Sequence, residues 1–283
     1  MNMIRGNFIC NLNCCSYYDQ ASLLLKYLDE THEHILHSLS GERFENKVKL
    51  DCTNPIDHLY IFRIFGLGSI IGIVCVHKYV DCGAIVLWNP STQEIKRIPP
   101  SPLESVELPI PSVAKEFVSV DVFTYLHGFC YDSVMDDYKV ICLTSFDIQV
   151  ELEDTFSESL LEDIYLDELW EIYSLRSNSW RKIDIDMPSS LYCTEGTQVY
   201  MDGVCHWLCE ENSPAGLCLV SLYLRNEVSC ITRIPSDEDD CFKFKASSIN
   251  LVLLNRSISL IAFHRETTTF HIAIWGELGI KES

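Results

Sequence analysis

Short apolar runs alternate with polar turn residues along most of the chain, and four of them follow one plan. Val86-Leu87-Trp88-Asn89-Pro90-Ser91-Thr92 leads into Glu94-Ile95-Lys96-Arg97-Ile98-Pro99, and Trp170-Glu171-Ile172-Tyr173-Ser174-Leu175 leads into Trp180-Arg181-Lys182-Ile183. The third copy runs from Leu219-Val220-Ser221-Leu222-Tyr223-Leu224 into Val228-Ser229-Cys230-Ile231-Thr232-Arg233. The fourth runs from Phe270-His271-Ile272-Ala273-Ile274-Trp275 into Gly279-Ile280-Lys281. Each reads strand, tight turn, strand. The last two steps are each about 50 residues, a period that points to propeller blades.

Between residues 59 and 275 the pattern predicts four blades of up to four strands, lettered a to d. They are 59–65, 70–76, 84–88 and 94–98; then 118–123 continuing toward 129, 138–143, 170–175 and 180–185. The third has 198–201, 204–208, 217–224 and 228–234, and the fourth 249–254, 257–263 and 270–275. Upstream, 23–28 and 35–39 read as a hairpin, and 1–19 as a linker or remnant, which makes 20–283 the propeller unit. The fold class is therefore all-β, an incomplete propeller ring of about four blades plus an N-terminal hairpin. Asp202-Gly203 supplies the positive φ angles of a two-residue hairpin turn. Asn89-Pro90-Ser91-Thr92 offers a side-chain acceptor beside a proline with φ already set, and Asp136-Asp137 and Asn255-Arg256 do similar work more weakly.

In such a meander the a–b and c–d turns share one face, and the b–c and d–a connections share the other. The first set is short. The second holds every long connection: 99–117, 144–169, 186–196 and 235–247, with shorter loops at 77–83, 209–216 and 264–268. Rigid scaffolds place function on such loops. These are also acidic. Ten carboxylates and no Lys or Arg fall within 147–171, and Asp237-Glu238-Asp239-Asp240 lies in another loop. Hydrated loops explain acidic runs without any partner. The sharper reading is a surface for a basic partner, carried by Asp81, Glu104, Asp154, Glu158, Glu210, Glu211, Asp237, Glu238, Asp239, Asp240 and Glu266.

A formal charge of −20 argues against nucleic acid, which needs a basic stripe to meet phosphates, and disfavours anionic membranes for the same reason. Fourteen cysteines raise the question of disulfides. Cys75, Cys130, Cys142, Cys205, Cys218 and Cys230 sit inside apolar strand patterns, and no apolar signal core follows Met1. Reduced, buried thiols in the cytoplasm or nucleus fit that placement.

Five ordered motifs carry a resemblance. They are Leu87-Trp88-Asn89-Pro90-Ser91-Thr92; Leu126-His127-Gly128-Phe129-Cys130-Tyr131-Asp132-Ser133 with Asp136-Asp137-Tyr138-Lys139-Val140; Glu171-Ile172-Tyr173-Ser174-Leu175-Arg176-Ser177-Asn178-Ser179-Trp180-Arg181; Val199-Tyr200-Met201-Asp202-Gly203-Val204-Cys205-His206-Trp207-Leu208; and Gly279-Ile280-Lys281-Glu282-Ser283. Together they resemble the F-box-associated interaction domain of plant F-box proteins. The resemblance implies a kelch-like propeller that captures the protein to be ubiquitinated. In full-length members an F-box docks on the Skp-type linker of a cullin–RING ligase. Nothing like that helical module precedes Met1, so 1–10 resemble the stretch that follows it, and the family pattern continues beyond Lys281-Glu282-Ser283.

Other chemistry fails on spacing. His32 and His37 are five apart in an alternating stretch, whereas a zincin needs two His four apart on a helix. On a strand, Cys205 and Cys209 point to one side and His206 to the other, which prevents convergence on a metal. Gly66-Leu67-Gly68-Ser69-Ile70-Ile71-Gly72 precedes a strand, so no helix N-terminus is offered to a phosphate; a blade turn is the better reading. No cofactor, metal or catalytic residue is expected. The reading is a non-catalytic substrate-recognition module. Its rivals are a ligase-independent binding protein, a non-functional fragment, and a propeller enzyme such as a copper oxidase or hydrolase, which needs converging ligands or carboxylates at its channel.

Overall fold

The computed structural model describes residues 7–10, 23–28, 34–40, 45–49, 62–78, 84–90, 92–102, 118–150, 167–185, 187, 198–211, 216–234, 249–254, 257–264 and 269–274. Every regular element among them longer than a single turn is a β-strand. The N-terminal sheet I holds β1 (Asn7–Cys10), β2 (Leu23–Leu28), β3 (His34–Ser40) and β4 (Asn46–Lys49). Sheet II holds β5 (Phe62–Ile70), β6 (Ile73–Lys78), β7 (Ile85–Asn89) and β8 (Glu94–Arg97). Sheet III holds β9 (Val118–Asp132), β10 (Asp137–Val150), β11 (Leu169–Ser174) and β12 (Ser179–Lys182). Sheet IV holds β13 (Gln198–Met201), β14 (Val204–Glu211), β15 (Gly216–Tyr223) and β16 (Val228–Arg233), and sheet V holds β17 (Ile249–Leu254), β18 (Ser257–His264) and β19 (Thr269–Ile274).

Each sheet is an antiparallel meander in chain order, and the first strands pack on one another, β1 on β5, β5 on β9, β9 on β13 and β13 on β17. That is a propeller plan, with strand a innermost. The four expected blades are sheets II to V. The expected hairpin is β2–β3, and it gains β1 and β4 on its flanks.

The turns explain why the chain reverses where it does. Asp202 and Gly203 have φ of 49° and 83°, and Ile71 and Gly72 have 47° and 78°. Both pairs place two consecutive residues in the left-handed region, whose twist matches that of the flanking strands. The glycine-rich stretch from Gly66 is thus strand with an irregular register, and its turn falls at Ile71-Gly72. Four longer turns share another geometry. Gln93, Asp136, Asn178 and Glu227 have φ of 51° to 61°, each four residues beyond a strand-ending residue. Three of those strand ends accept a hydrogen bond from the turn: Asn89 from the Thr92 amide, Asp132 from Val134 and Met135, and Ser174 from Ser177. Burial alone would raise the Asp132 carboxyl; Lys139 Nζ at 2.6 Å and these two amides hold it below the usual range. Asn255-Arg256 lies outside the described residues.

Alternation along each strand feeds two seams at once. On β9, Phe129 faces sheet II beside Leu87 and Phe65, while its neighbour Cys130 faces sheet IV beside Cys205 and Trp207. Sheets IV and V close on Val199, Leu208 and Leu219 against Ile249, Leu251 and Leu260. Polar stitches cross the same seams. The Trp180 indole donates to Pro99 O at 2.8 Å, Gln198 Nε2 to Phe129 O at 3.1 Å, and Tyr138 OH to Ile71 O at 3.0 Å. The described outermost strands of four sheets carry exposed Lys47, Lys49, Lys96, Arg97, Arg181, Lys182 and Arg233. Such charges blunt an edge against strand addition.

Seven described cysteines are free thiols, and six are buried. Cys230 corrects the expectation of burial: it lies on β16, the outermost strand of its sheet, and is exposed. Burial pushes the Cys75 and Cys130 thiols well up, which keeps them protonated.

Two predictions follow from the seams. A Cβ on Gly128 would lie 2.8 Å from both Cys205 Sγ and Ile141 Cδ1, so Gly128→Ala should destabilise the fold by about 1–3 kcal/mol in urea unfolding, with Cys205→Ala restoring part of the loss. His206 is buried with Nδ1 2.8 Å from Ser221 Oγ, and burial lowers its pKa to about 4. The unfolded imidazole takes a proton near pH 6.5 and the folded one does not. Its contribution, about 3 kcal/mol, is therefore complete above pH 6.5 and is lost as pH falls toward 4. In urea titrations across that window, His206→Gln should show a shallower fall than the parent chain.

Candidate functional site

Topology places the strand ends from which the long connections leave at one end of the molecule. The start of β9, the end of β10 and the end of β14 all lie there, since strands a and b meet at the opposite end through short turns. Asp81, Glu104, Asp154, Glu158, Asp237, Glu238, Asp239, Asp240 and Glu266 lie outside the described residues. Glu210 and Glu211 are the last two residues of β14, opposite Leu217 and Gly216.

A ribbon dominates this end. β9 and β10 have 15 and 14 residues, whereas every other strand has nine or fewer. β11 pairs with β10 only from Lys139 to Thr144, and beyond that β10 continues to Val150 paired with β9. The connection expected at 144–169 therefore begins later. Alternating apolar side chains at Phe146 and Ile148 find Val122 and Val120 directly opposite, which carries the ladder on. These four are half-buried and share one face. The other face shows Asp121 opposite Asp147 and Ser119 opposite Gln149, all four exposed, with Gln149 Nε2 donating to Asp121 Oδ2 at 3.0 Å. Sequence reasoning missed this ribbon as a unit. Its signal was the period-two alternation on both sides of the blade.

Two buried groups anchor the ribbon's base. Glu171, counted above with the acidic connection, is 2% exposed. Its carboxylate accepts from Ser101 Oγ at 2.7 Å and from Thr144 Oγ1 at 2.8 Å. Two hydroxyls from distant parts of the chain thus take a strand residue's carboxylate out of solvent. The second anchor is aromatic. The β9 register slips between Leu126 and Gly128, so His127 has no opposite residue. Its ring packs edge-on against Trp170 at 4.8 Å and Trp207 at 6.2 Å, with Nδ1 3.0 Å from Tyr125 O.

The opposite end is trimmed and knitted. Asp137 accepts from Ser174 Oγ and the Arg176 amide, Arg176 Nη1 donates to Met135 O at 2.6 Å, and Arg181 pairs with Glu227 across sheets III and IV. Among the described residues no group of three or more His, Cys, Asp or Glu is placed to hold a metal ion. Cys205 and Cys209 share a core from which His206 points away, as strand geometry requires.

Comparisons with known proteins agree with this architecture. A family model described as the F-box associated beta propeller domain matches residues 25–279. From Arabidopsis thaliana, the F-box protein CPR1 is 34% identical over 100 residues, 35% of this chain and 20% of that protein. The F-box protein At4g22390 is 26% identical over 181 residues, 60% of this chain and 39% of that protein. The F-box/kelch-repeat protein At3g23880 is 28% identical over 149 residues, 52% and 32%. The chain thus spans between a fifth and two fifths of the length of these relatives. The β-propeller domain of a trilobed protease from Pyrococcus furiosus aligns over 97% of this chain and 69% of its own at 7% identity, with a TM-score of 0.29 that carries no argument.

The buried carboxylate gives a direct test of the ribbon's support. Glu171→Ala leaves the Ser101 and Thr144 hydroxyls buried without their acceptor and should cost about 1–3 kcal/mol in urea unfolding. Glu171→Gln keeps an acceptor oxygen and should cost less. Equal, negligible losses for both would mean that the carboxylate supports nothing.

Proposed function

The chain belongs to the F-box associated β-propeller domain family, and we propose that it is a non-catalytic substrate-recognition module of an SCF-type ubiquitin-ligase adaptor. The observation that carries the reading is the family match across residues 25–279, on a scaffold whose long connections gather at one end. In this reading the loop-rich end receives the protein to be ubiquitinated. The F-box of a full-length member recruits the Skp-type linker and, through it, the cullin.

The target's chemistry follows from charge. The chain carries 41 acidic against 21 basic residues, and 151–166 alone hold Glu151, Glu153, Asp154, Glu158, Glu162 and Asp163 without a Lys or Arg. A field of that sign steers a basic protein toward the site and speeds its association. Asp81, Glu104, Asp154, Glu158, Glu210, Glu211, Asp237, Glu238, Asp239, Asp240 and Glu266 are the residues proposed to supply it. The setting that suits such a ligase is the cytoplasm or nucleus.

The experiment joins this chain to an F-box module and reconstitutes it with Skp-type linker, cullin, RING subunit, conjugating enzyme and ubiquitin. Applied to fractionated plant protein, the assembly should ubiquitinate basic proteins that the F-box module alone leaves untouched. Neutralising Asp237, Glu238, Asp239 and Asp240 together should slow capture of those proteins more than it speeds their release. A ubiquitination pattern identical to that of the F-box module alone would overturn the reading.

A further inference from the structure

We propose that the free edge of the β9–β10 ribbon is a strand-addition site for an extended peptide in which apolar and basic residues alternate. This deepens the recognition reading above and rests on it.

Three observations converge on the ribbon. The first is a backbone edge with no partner strand among the described residues. Beyond Thr144, where β11 starts at Leu169, residues 145–150 of β10 pair with β9 on one side and with no strand among the described residues on the other. A strand edge of six residues offers alternate N–H and C=O groups to an incoming chain, the main-chain basis of strand addition. The second is the absence of basic or proline protection. Lys or Arg stands on β4, β8, β12 and β16, the outermost strands of sheets I to IV, whereas 118–124 and 144–150 contain no Lys, Arg or Pro. The third is the side-chain pattern. Phe146 and Ile148 line one face with Val122 and Val120, and Asp147 lies directly opposite Asp121 on the other. Like charges opposed across a ladder destabilise it, and a cation from a partner relieves that cost.

Charge complementarity selects the occupant. A strand laid along β10, where β11 would otherwise continue, sets every second side chain beside Phe146 and Ile148 and the intervening ones beside Asp147. Apolar residues satisfy the first set and Lys or Arg the second. The chain's own segment 151–166 has the wrong sign, with six carboxylates and no base. A second copy has it too, since residues 144–150 offer no base to Asp147 in any register. The fit is to a basic segment of another protein.

The test uses the full chain and a labelled amide peptide of about eight residues alternating lysine and valine, long enough to cover the open edge. Fluorescence anisotropy should show saturable binding. Methylating every second amide nitrogen of the peptide removes its edge hydrogen bonds and should weaken binding by at least about tenfold, as should Asp121→Lys combined with Asp147→Lys. The doubly reversed chain, shown by circular dichroism and urea midpoint to be folded, should instead prefer the peptide alternating glutamate and valine. If a blocked peptide of four lysines and four valines binds as tightly as the alternating one, or if methylation has no effect, the attraction is charge alone. That result overturns the edge proposal and leaves the acidic recognition face standing. No saturable binding of the alternating peptide also overturns it, as does binding lost on neutralising Asp237, Glu238, Asp239 and Asp240 but kept in the ribbon variant.

Discussion

A sheet four strands wide cannot bury both its faces by itself, and in this chain neighbouring sheets close the faces of sheets III and IV. Among the described residues the buried clusters each span two sheets. Cys130, Ile141 and Trp170 of sheet III meet Cys205, Trp207 and Val220 of sheet IV in one layer, and Phe129 and Tyr173 on the reverse of sheet III meet Leu87 and Phe65 of sheet II. Of the described glycines tested, Gly128 is the most crowded: a Cβ there would lie 2.8 Å from Cys205 Sγ and Ile141 Cδ1, so a neighbouring side chain would have to shift. Interiors packed this densely respond to a single methyl group. The stability of sheets II to V thus depends on the sheets beside them, and their strand ends inherit their positions from the seams.

The two ends of the scaffold use this rigidity differently. At the trimmed end, four turns with one left-handed residue each and a set of side-chain stitches leave little freedom. At the other end the same seams hold the roots of the connections. Glu171 ties the exit of sheet II to β10 and β11 through two hydroxyls, and His127 wedges between Trp170 and Trp207 beneath the ribbon. A recognition surface on long loops needs fixed roots if binding is not to be spent on ordering the scaffold. Placing polar anchors under the ribbon, with apolar seams below them, meets that need.

Local chemistry made most of the strands legible in the sequence. Asp202-Gly203 announced its turn because only certain residues accept positive φ, and the limits of β13 and β17 matched the alternating pattern to the residue. What the sequence concealed depended on partners far along the chain. Glu171 looked like one more carboxylate of an acidic connection; Ser101, seventy residues away, makes it an interior residue. Residues 144–150 looked like loop because Ser145, Asp147 and Gln149 interrupt the apolar run, yet each has a partner on β9. Cys230 looked buried because its neighbours are apolar, but β16 is the outermost strand of its sheet and is exposed along most of its length. Of the candidate site, the acidic composition of the connections was readable. The ribbon that gives part of it a geometry was not, because pairing is a property of two segments and pattern is a property of one.

Hydrogen exchange on the chain, free and bound to a captured target, tests the central claim that recognition belongs to the loop-rich end. The account predicts new protection at 118–124, 144–150 and the end of β14, with the turns at Ile71-Gly72, 133–136 and 175–178 exchanging as before. Protection concentrated at those turns, with the ribbon unchanged, would contradict it and move the partner to the trimmed end.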